Sequence, residues 1–315
     1  MDSRGRQAAS ILILTFSGAV TSRAQPFTLP SSLPSQFVVV TVQDKKGQPV
    51  LDLRAEDFVL REDGRPQTVL TFAQASDPGD DNLLGVDITL LVDLSPSVAA
   101  TTGGSTVAKS LLDFLDAVPR ARNRLIVLFQ REIVAFRYRP ADREAALKLI
   151  AGSPTGGGKR LYDAIQLALS RVEARPYRQV IVLLSDGIDT LSDIGEDALL
   201  QSVRSSQATI YPAALPHRVP IIGGPPLPPY TQIGGSFLTK LAEATGGEVI
   251  TVALDGRLTP VYARIQALLS SQYLLGFVSD NSDHDGKYRE IKVQLQRPGT
   301  RVRCRKGYYA LKDRP

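Results

Sequence analysis

The chain has 315 residues, 43% of them hydrophobic and 22% charged, with a formal net charge of +5. Such a composition gives a globular protein of one large or two modest domains, and the mild basic excess without a concentrated Lys/Arg block argues against a nucleic-acid partner. Cys304 is the only cysteine, which excludes an internal disulfide and a cysteine-built zinc cluster, and no cysteine near the N-terminus could carry a lipid.

The first 24 residues read as a signal peptide. Arg4 and Arg6 precede an apolar run over residues 8–20, and Ser22-Arg23-Ala24 places small residues at the two cleavage-defining positions. The run is shorter than the ~18 apolar residues that a spanning helix needs. Cleavage after Ala24 is therefore expected, giving a secreted or periplasmic protein with no transmembrane segment. Three arginines and Asp2 leave with the leader, so the charge falls from +5 to +3.

Residues 25–80 form a β segment. FVVVTVQ, DFVLRED and QTVLTF read as short strands, with turns at KKGQP and at Gly64. From residue 81 to 270 the grammar changes. Apolar runs (VDITLLVD, RLIVLFQ, QVIVLLSD, ATIYPAAL, EVITVAL) alternate with helical patterns over 107–117, 141–150, 161–173, 197–205, 237–245 and 259–269. Continuous apolar strands between amphipathic helices predict an α/β domain with a doubly wound, mostly parallel sheet buried on both faces. Residues 271–315 return to β, as QYLLGFVS, KYREIKVQLQ and RVRCRKGYYA, with turns at Asp285-Gly286 and Pro298-Gly299. Neither flank has enough strands to stand alone. The two are expected to pack together as one small β-domain into which the α/β domain is inserted.

In an open parallel sheet, ligands bind beyond the carboxyl ends of the strands. Asp93-Leu94-Ser95-Pro96-Ser97 ends the first buried strand and Leu184-Ser185-Asp186-Gly187 ends a later one. A carboxylate and two hydroxyls on one turn, with a second carboxylate opposite, make an oxygen set suited to a hard cation. VDLSPSV, GGGKRLYDAI, IVLLSDGIDT and LAEATGGEVI, in that order, resemble the von Willebrand factor type A (VWA) domain. The flanks resemble the secreted bacterial VWFA-related family over nearly the whole mature chain.

The resemblance implies a Rossmann-like sheet with Mg²⁺ or Mn²⁺ at its C-terminal rim, a metal-ion-dependent adhesion site whose coordination a ligand carboxylate completes. Asp93, Ser95, Ser97 and Asp186 match that site. Its threonine does not, because Lys159 stands in that position. An ammonium about 4 Å from a divalent cation costs roughly 8 kcal/mol at an effective dielectric near 20. Either Lys159 swings outward and a water or Thr155 completes a weakened metal site, or Lys159 enters and pairs with Asp93 and Asp186 as a built-in cation.

The same glycine run does not bind nucleotide: a phosphate loop needs glycine where Ser153 stands and Ser or Thr where Arg160 stands. Asn281 to Gly286 mimics the start of an EF-hand, but Lys292 fills the twelfth position and the stretch reads as a hairpin turn. His217 and His284 have no metal-ligand spacing, and no G-x-S-x-G elbow is present. The expected protein is not an enzyme. It binds an extracytoplasmic protein or glycan, through an acidic group, at the rim around Asp93, Ser95, Ser97, Lys159 and Asp186. The alternative is a structural or scaffolding protein of the cell envelope with an inert metal site, whose contacts come from the β-domain or the Pro-rich residues 220–229.

Overall fold

The computed structural model describes residues 35–75, 85–95, 104–171, 178–216, 235–253 and 255–310. Residues 34–315 belong to one compact unit. Residues 1–24, expected to be a leader, Ser97 and the Pro-rich residues 220–229 lie outside the described residues. Among those described, no helix is long and apolar enough to cross a membrane.

The central sheet is mostly parallel. Its strands are β5 (Val86–Asp93), β6 (Ala121–Phe129), β7 (Ile133–Arg137), β8 (Arg178–Ser185), β9 (Thr209–Ala214) and β10 (Ile250–Thr251), in the order β10-β9-β8-β5-β6-β7. Only β7 runs antiparallel to its neighbour. Helices α1 (Gly104–Ala117), α2 (Arg143–Ala151) and α6 (Thr259–Ser270) cover one face through a core with Ile88, Leu90, Val92, Leu111, Leu115 and Ile265. Helices α3 (Leu161–Ser170), α4 (Glu196–Ser205) and α5 (Gly235–Thr245) cover the other through Leu91, Val127, Ile165, Leu183 and Leu241. Every residue of β8 is buried, as an apolar run covered on both sides requires. The fold is thus α/β, Rossmann-like and doubly wound.

The remaining strands form two antiparallel sheets. One has the order β13-β1-β11-β4 and the other β14-β12-β2-β3. The first contains β1 (Ser35–Asp44), β4 (Thr71–Gln74), β11 (Gln272–Val278) and β13 (Thr300–Cys304). The second contains β2 (Phe58–Glu62), β3 (Arg65–Gln67), β12 (Tyr288–Leu295) and β14 (Gly307–Tyr309). Alternating residues, among them Val38, Val40, Val42, Leu60, Tyr273, Leu275, Phe277, Ile291 and Val293, share one buried cluster. Both sheets mix strands from the two ends of the chain, since β1 pairs with β11 and β2 with β12.

A polar seam joins this β-layer to the α/β layer. Arg178, the first residue of β8, donates to the Leu269 carbonyl at 2.8 Å and to Gln272 Oε1 at 2.9 Å, while Gln272 Nε2 donates to Tyr211 Oη at 2.9 Å. Burial pulls the Arg178 guanidinium down to about 10. Arg264 bridges Glu248 at 2.8 Å and the Gly47 carbonyl at 2.9 Å. In the turn after α5, Gly247 passes so close to β9 that a Cβ there would lie 1.8 Å from the Ile210 carbonyl oxygen, which only glycine allows.

Three local expectations change. Strand β7 was not anticipated, because the turn Gln130-Arg131-Glu132 that feeds it lacks Gly, Pro, Asn or Asp. It closes instead through the Gln130 amide donating to the Glu132 carbonyl at 3.1 Å. The run EVITVAL keeps only the two-residue β10. The stretch from Asn281 to Gly286 is not a hairpin, because β11 and β12 lie in different sheets. It crosses between them, held by the Asn281 carboxamide accepting from the Asp283 amide at 3.1 Å and by Arg289 donating to Asp285 at 2.9 Å.

Candidate functional site

The C-terminal ends of β5 and β8 bring Asp93 and Asp186 to the same rim. Asp93 is fully buried and Asp186 is 5% exposed. The Ser95 amide donates to Asp93 Oδ1 at 2.9 Å, and the Ser185 hydroxyl donates to Asp93 Oδ2 at 2.8 Å. The Ile188 amide donates to Asp186 Oδ1 at 3.2 Å. Both carboxylates are thus oriented by the turns that follow their own strands.

Lys159 enters between them. Its Nζ donates to Asp186 Oδ2 at 2.5 Å and lies 3.6 Å from Asp93 Oδ2, and the residue is 8% exposed. Its backbone is fixed as firmly as its side chain. The Lys159 amide donates to Thr190 Oγ1 at 2.7 Å, and its carbonyl accepts from the Thr190 and Leu191 amides at 3.0 and 2.9 Å. The glycines before it let the chain turn inward, with φ of +151° at Gly156 and +82° at Gly157. The Gly156 amide donates to Gln130 Oε1 at 2.8 Å.

The loop that receives Lys159 is braced to the start of α3. Asp189 accepts from the Tyr162 amide at 3.1 Å, and the Ser192 hydroxyl accepts from the Asp163 amide at 3.1 Å, so residues of another loop satisfy the open donors of the helix. In return the Asp163 carboxylate accepts from the Asp193 and Ile194 amides at 3.1 and 3.3 Å. Burial, with the nearby Glu196 and Asp189 charges, pushes the Tyr162 phenol up to about 12.

Desolvation raises the Asp93 carboxyl above its ordinary value, opposed by Lys159 and by the hydrogen bonds from Ser95 and Ser185. One ammonium therefore faces two carboxylates, and its charge is engaged inside the protein. The ammonium takes the position between the carboxylates, and a divalent cation about 4 Å from it would meet a repulsion of roughly 8 kcal/mol at an effective dielectric near 20. Thr155 is exposed on the glycine loop. Among the described residues no group of three or more His, Cys, Asp or Glu side chains could hold a metal ion.

Asp93, Ser95, Lys159 and Asp186 are thus brought together, while Ser97 lies outside the described residues. Sequence reasoning missed Ser185, Thr190, Asp189, Ser192 and Gln130. Ser185 was within the quoted LLSDG, but a serine before the turn residue carries no spacing signal. The others act across loops through backbone contacts, which leave no mark in a motif.

No family model matches the chain, and no curated protein matches it. Solved structures do. A von Willebrand factor type A protein from Catenulispora acidiphila is 12% identical, with 90% of this chain and 75% of that one covered and a TM-score of 0.45. Manganese-loaded TRAP protein from Plasmodium vivax is 15% identical, covering 80% of this chain and 99% of that one, with a TM-score of 0.40. An aerotolerance-related membrane protein from Bacteroides fragilis is 18% identical, covering 59% and 98%, with a TM-score of 0.42. The neighbours include VWA-domain proteins, and this chain's own sheet order and helix placement show a doubly wound, mostly parallel α/β fold.

Proposed function

We propose that the chain is an extracytoplasmic binding protein of VWA type whose sheet rim is completed by an internal cation, Lys159, instead of a divalent metal. The observation that carries this reading is the seat of Lys159 Nζ, 2.5 Å from Asp186 and 3.6 Å from Asp93. A buried ammonium between two carboxylates replaces the charge a metal would bring, and it holds the glycine loop against the loop carrying Thr190 and Leu191. The partner, a protein or glycan, then meets a rim that is set permanently and does not depend on metal. Because its charge is engaged internally, Lys159 is not the group that meets an acidic partner. The partner is read by loop shape and by hydroxyls such as Thr155. Ser185 and Lys159 are both engaged with the aspartates, so the reading is of binding and not of catalysis.

Calorimetric titration with Mg²⁺ and Mn²⁺ tests this. The unmodified protein should show no saturable heat at millimolar metal, and Lys159→Thr should gain binding at the vacated seat between Asp93 and Asp186. Micromolar Mg²⁺ affinity in the unmodified protein, unaltered by Lys159→Thr, would sink the reading. The mutual satisfaction of the rim groups also favours a second reading, an inert rim in a scaffolding protein. Partner capture that survives both EDTA and Thr155→Arg would select it.

A further inference from the structure

At the opposite end of the sheet from the rim, the helix cover stops short among the described residues. Asp87 is the second and Asp93 the last residue of β5, a separation of about 20 Å at ~3.3 Å per residue. Helix α3 ends at Ser170, and beneath its C-terminus a cleft of about 350 Å³ opens on the sheet face between β8 and β7. Its floor is a row of planar polar side chains across three strands. Asn123 Nδ2 donates to Asp87 Oδ1 at 2.9 Å, and Gln179 Nε2 donates to Asp87 Oδ2 at 3.2 Å. Arg137 and Arg171 stand at its sides. Both are exposed, and neither guanidinium meets an acceptor among the described residues.

The same cleft borders the open edge of the sheet. β7 ends the strand order, so one side of its backbone has no strand beside it among the described residues. The Tyr138 amide donates inward to the Arg124 carbonyl at 2.8 Å. Antiparallel alternation then turns the backbone N–H and C=O of Arg137, Ala135 and Ile133 outward. Side chains of these three residues share one sheet face, where Ala135 and Arg137 line the cleft and Ile133 packs on the core. Val134, on the other face, is 44% exposed. Apolar edge strands are ordinarily blunted by proline, inward charge or a covering element. The central residues of β7, Val134, Ala135 and Phe136, carry neither proline nor charge.

We propose that β7 is a docking edge for an extended acidic peptide, which adds a strand to the sheet and lays alternate carboxylates into the cleft against Arg137 and Arg171. Main-chain hydrogen bonds to Ile133, Ala135 and Arg137 supply affinity, and side chains two residues apart reach the cleft face, the mode by which strand addition combines affinity with specificity. Charge decides for an acidic peptide over a second copy of this chain. Antiparallel self-pairing about Ala135 would set Arg131 of each copy opposite Arg139 of the other, with Arg137 opposite Ile133 and diagonal to Arg131, and like charges across strands are unfavourable. The inference concerns a surface about 20 Å from the rim and stands independently of the Lys159 reading.

The test uses the full chain and three fluorescein-labelled hexapeptides: alternating Val-Glu, alternating Val-Lys, and Val-Glu with alternate backbone nitrogens methylated. Anisotropy should show saturable binding of the Val-Glu peptide alone, weakening as salt rises. The double variant Arg137→Ala, Arg171→Ala should weaken it at least tenfold. Ala135→Pro, which removes an outward N–H that the β6–β7 ladder does not use, should abolish it with the far-UV spectrum unchanged. Equal binding of the Val-Lys or methylated peptide, no saturable binding at millimolar peptide, or binding indifferent to Ala135→Pro would each overturn the proposal. Dimerisation of the unmodified protein that Ala135→Pro removes would assign the edge to a second copy and overturn it equally. Lys159→Thr serves as the independent control: its metal titration reports on the rim whichever way the peptide experiment falls.

Discussion

The two ends of the central sheet treat positive charge in opposite ways. At the C-terminal rim, Lys159 is 8% exposed and directed at two buried carboxylates, and its backbone is pinned to the facing loop at both amide and carbonyl. At the N-terminal end, Arg137 and Arg171 flank an open cleft, exposed to water. A buried charge acts on stability because removing its partner strands the remainder in a poor solvent, whereas an exposed charge acts on encounter and specificity. The rim cation is therefore part of how the fold holds together, and the cleft cations are free to meet something else.

The sharpest way to break this contrast is Lys159→Ala. It leaves Asp93 and Asp186 facing each other without compensation, and a loss of about 3–5 kcal/mol in unfolding free energy is expected from denaturant titration. A loss below 1 kcal/mol would mean that water reaches the carboxylates and the rim is not a buried site.

Substituting the two acids separately sharpens it further. Asp186→Asn removes the closer partner of Lys159 and should cost more than Asp93→Asn. The Asp93 carboxyl is raised chiefly by burial. Because its folded value lies above its unfolded one, the folded state holds that proton more tightly. Its contribution is therefore fully present below the unfolded value of 3.8 and declines as pH rises from there towards the raised folded value. Asp93→Asn should flatten that part of the stability profile. An unchanged profile would show that Lys159 and the serines offset the burial completely.

The smallest effect belongs to the cleft. Arg137→Ala and Arg171→Ala should each move stability by no more than about 0.5 kcal/mol, the range for surface positions without packing or ion-pair roles. A melting temperature lowered by several degrees would make them structural, and the contrast between the two ends would fail.

Most of the architecture was legible because burial imposes periodicity. Continuous apolar runs such as QVIVLLSD could only be covered on both faces, and alternation in KYREIKVQLQ fits one buried face, as the pattern from Tyr288 to Leu295 shows. The edge strand β7 escaped because its turn uses no turn-forming residue and its five residues follow the preceding strand without punctuation. At the rim, Asp93, Ser95 and Asp186 were legible from strand-end position and motif order. The direction of Lys159 was not, since a flexible four-carbon stem reaches either way and the deciding contacts come from Thr190 and Leu191, some thirty residues on. Likewise Asn281 to Gly286 has turn composition, but composition does not say whether the next strand returns to the same sheet.

The pairing of β1 with β11 and β13 has a consequence for the order of folding. Val38 faces Leu275 and Thr41 faces Arg303, so the first strand of the compact unit emerges from synthesis more than two hundred residues before any strand that can pair with it. The α/β layer is complete by Ser270, whereas β1 carries an apolar face, Val38, Val40 and Val42, that shares its buried cluster with Leu53, Phe58 and Leu60 but has no pairing strand until β11 and β13 are made. Non-local pairings close slowly because the loop entropy must be overcome before they form. For that interval β1 is an unpaired apolar strand on a growing chain, the condition in which aggregation begins and in which a holding factor, or delivery of the still-unfolded chain across a membrane, has most to act upon.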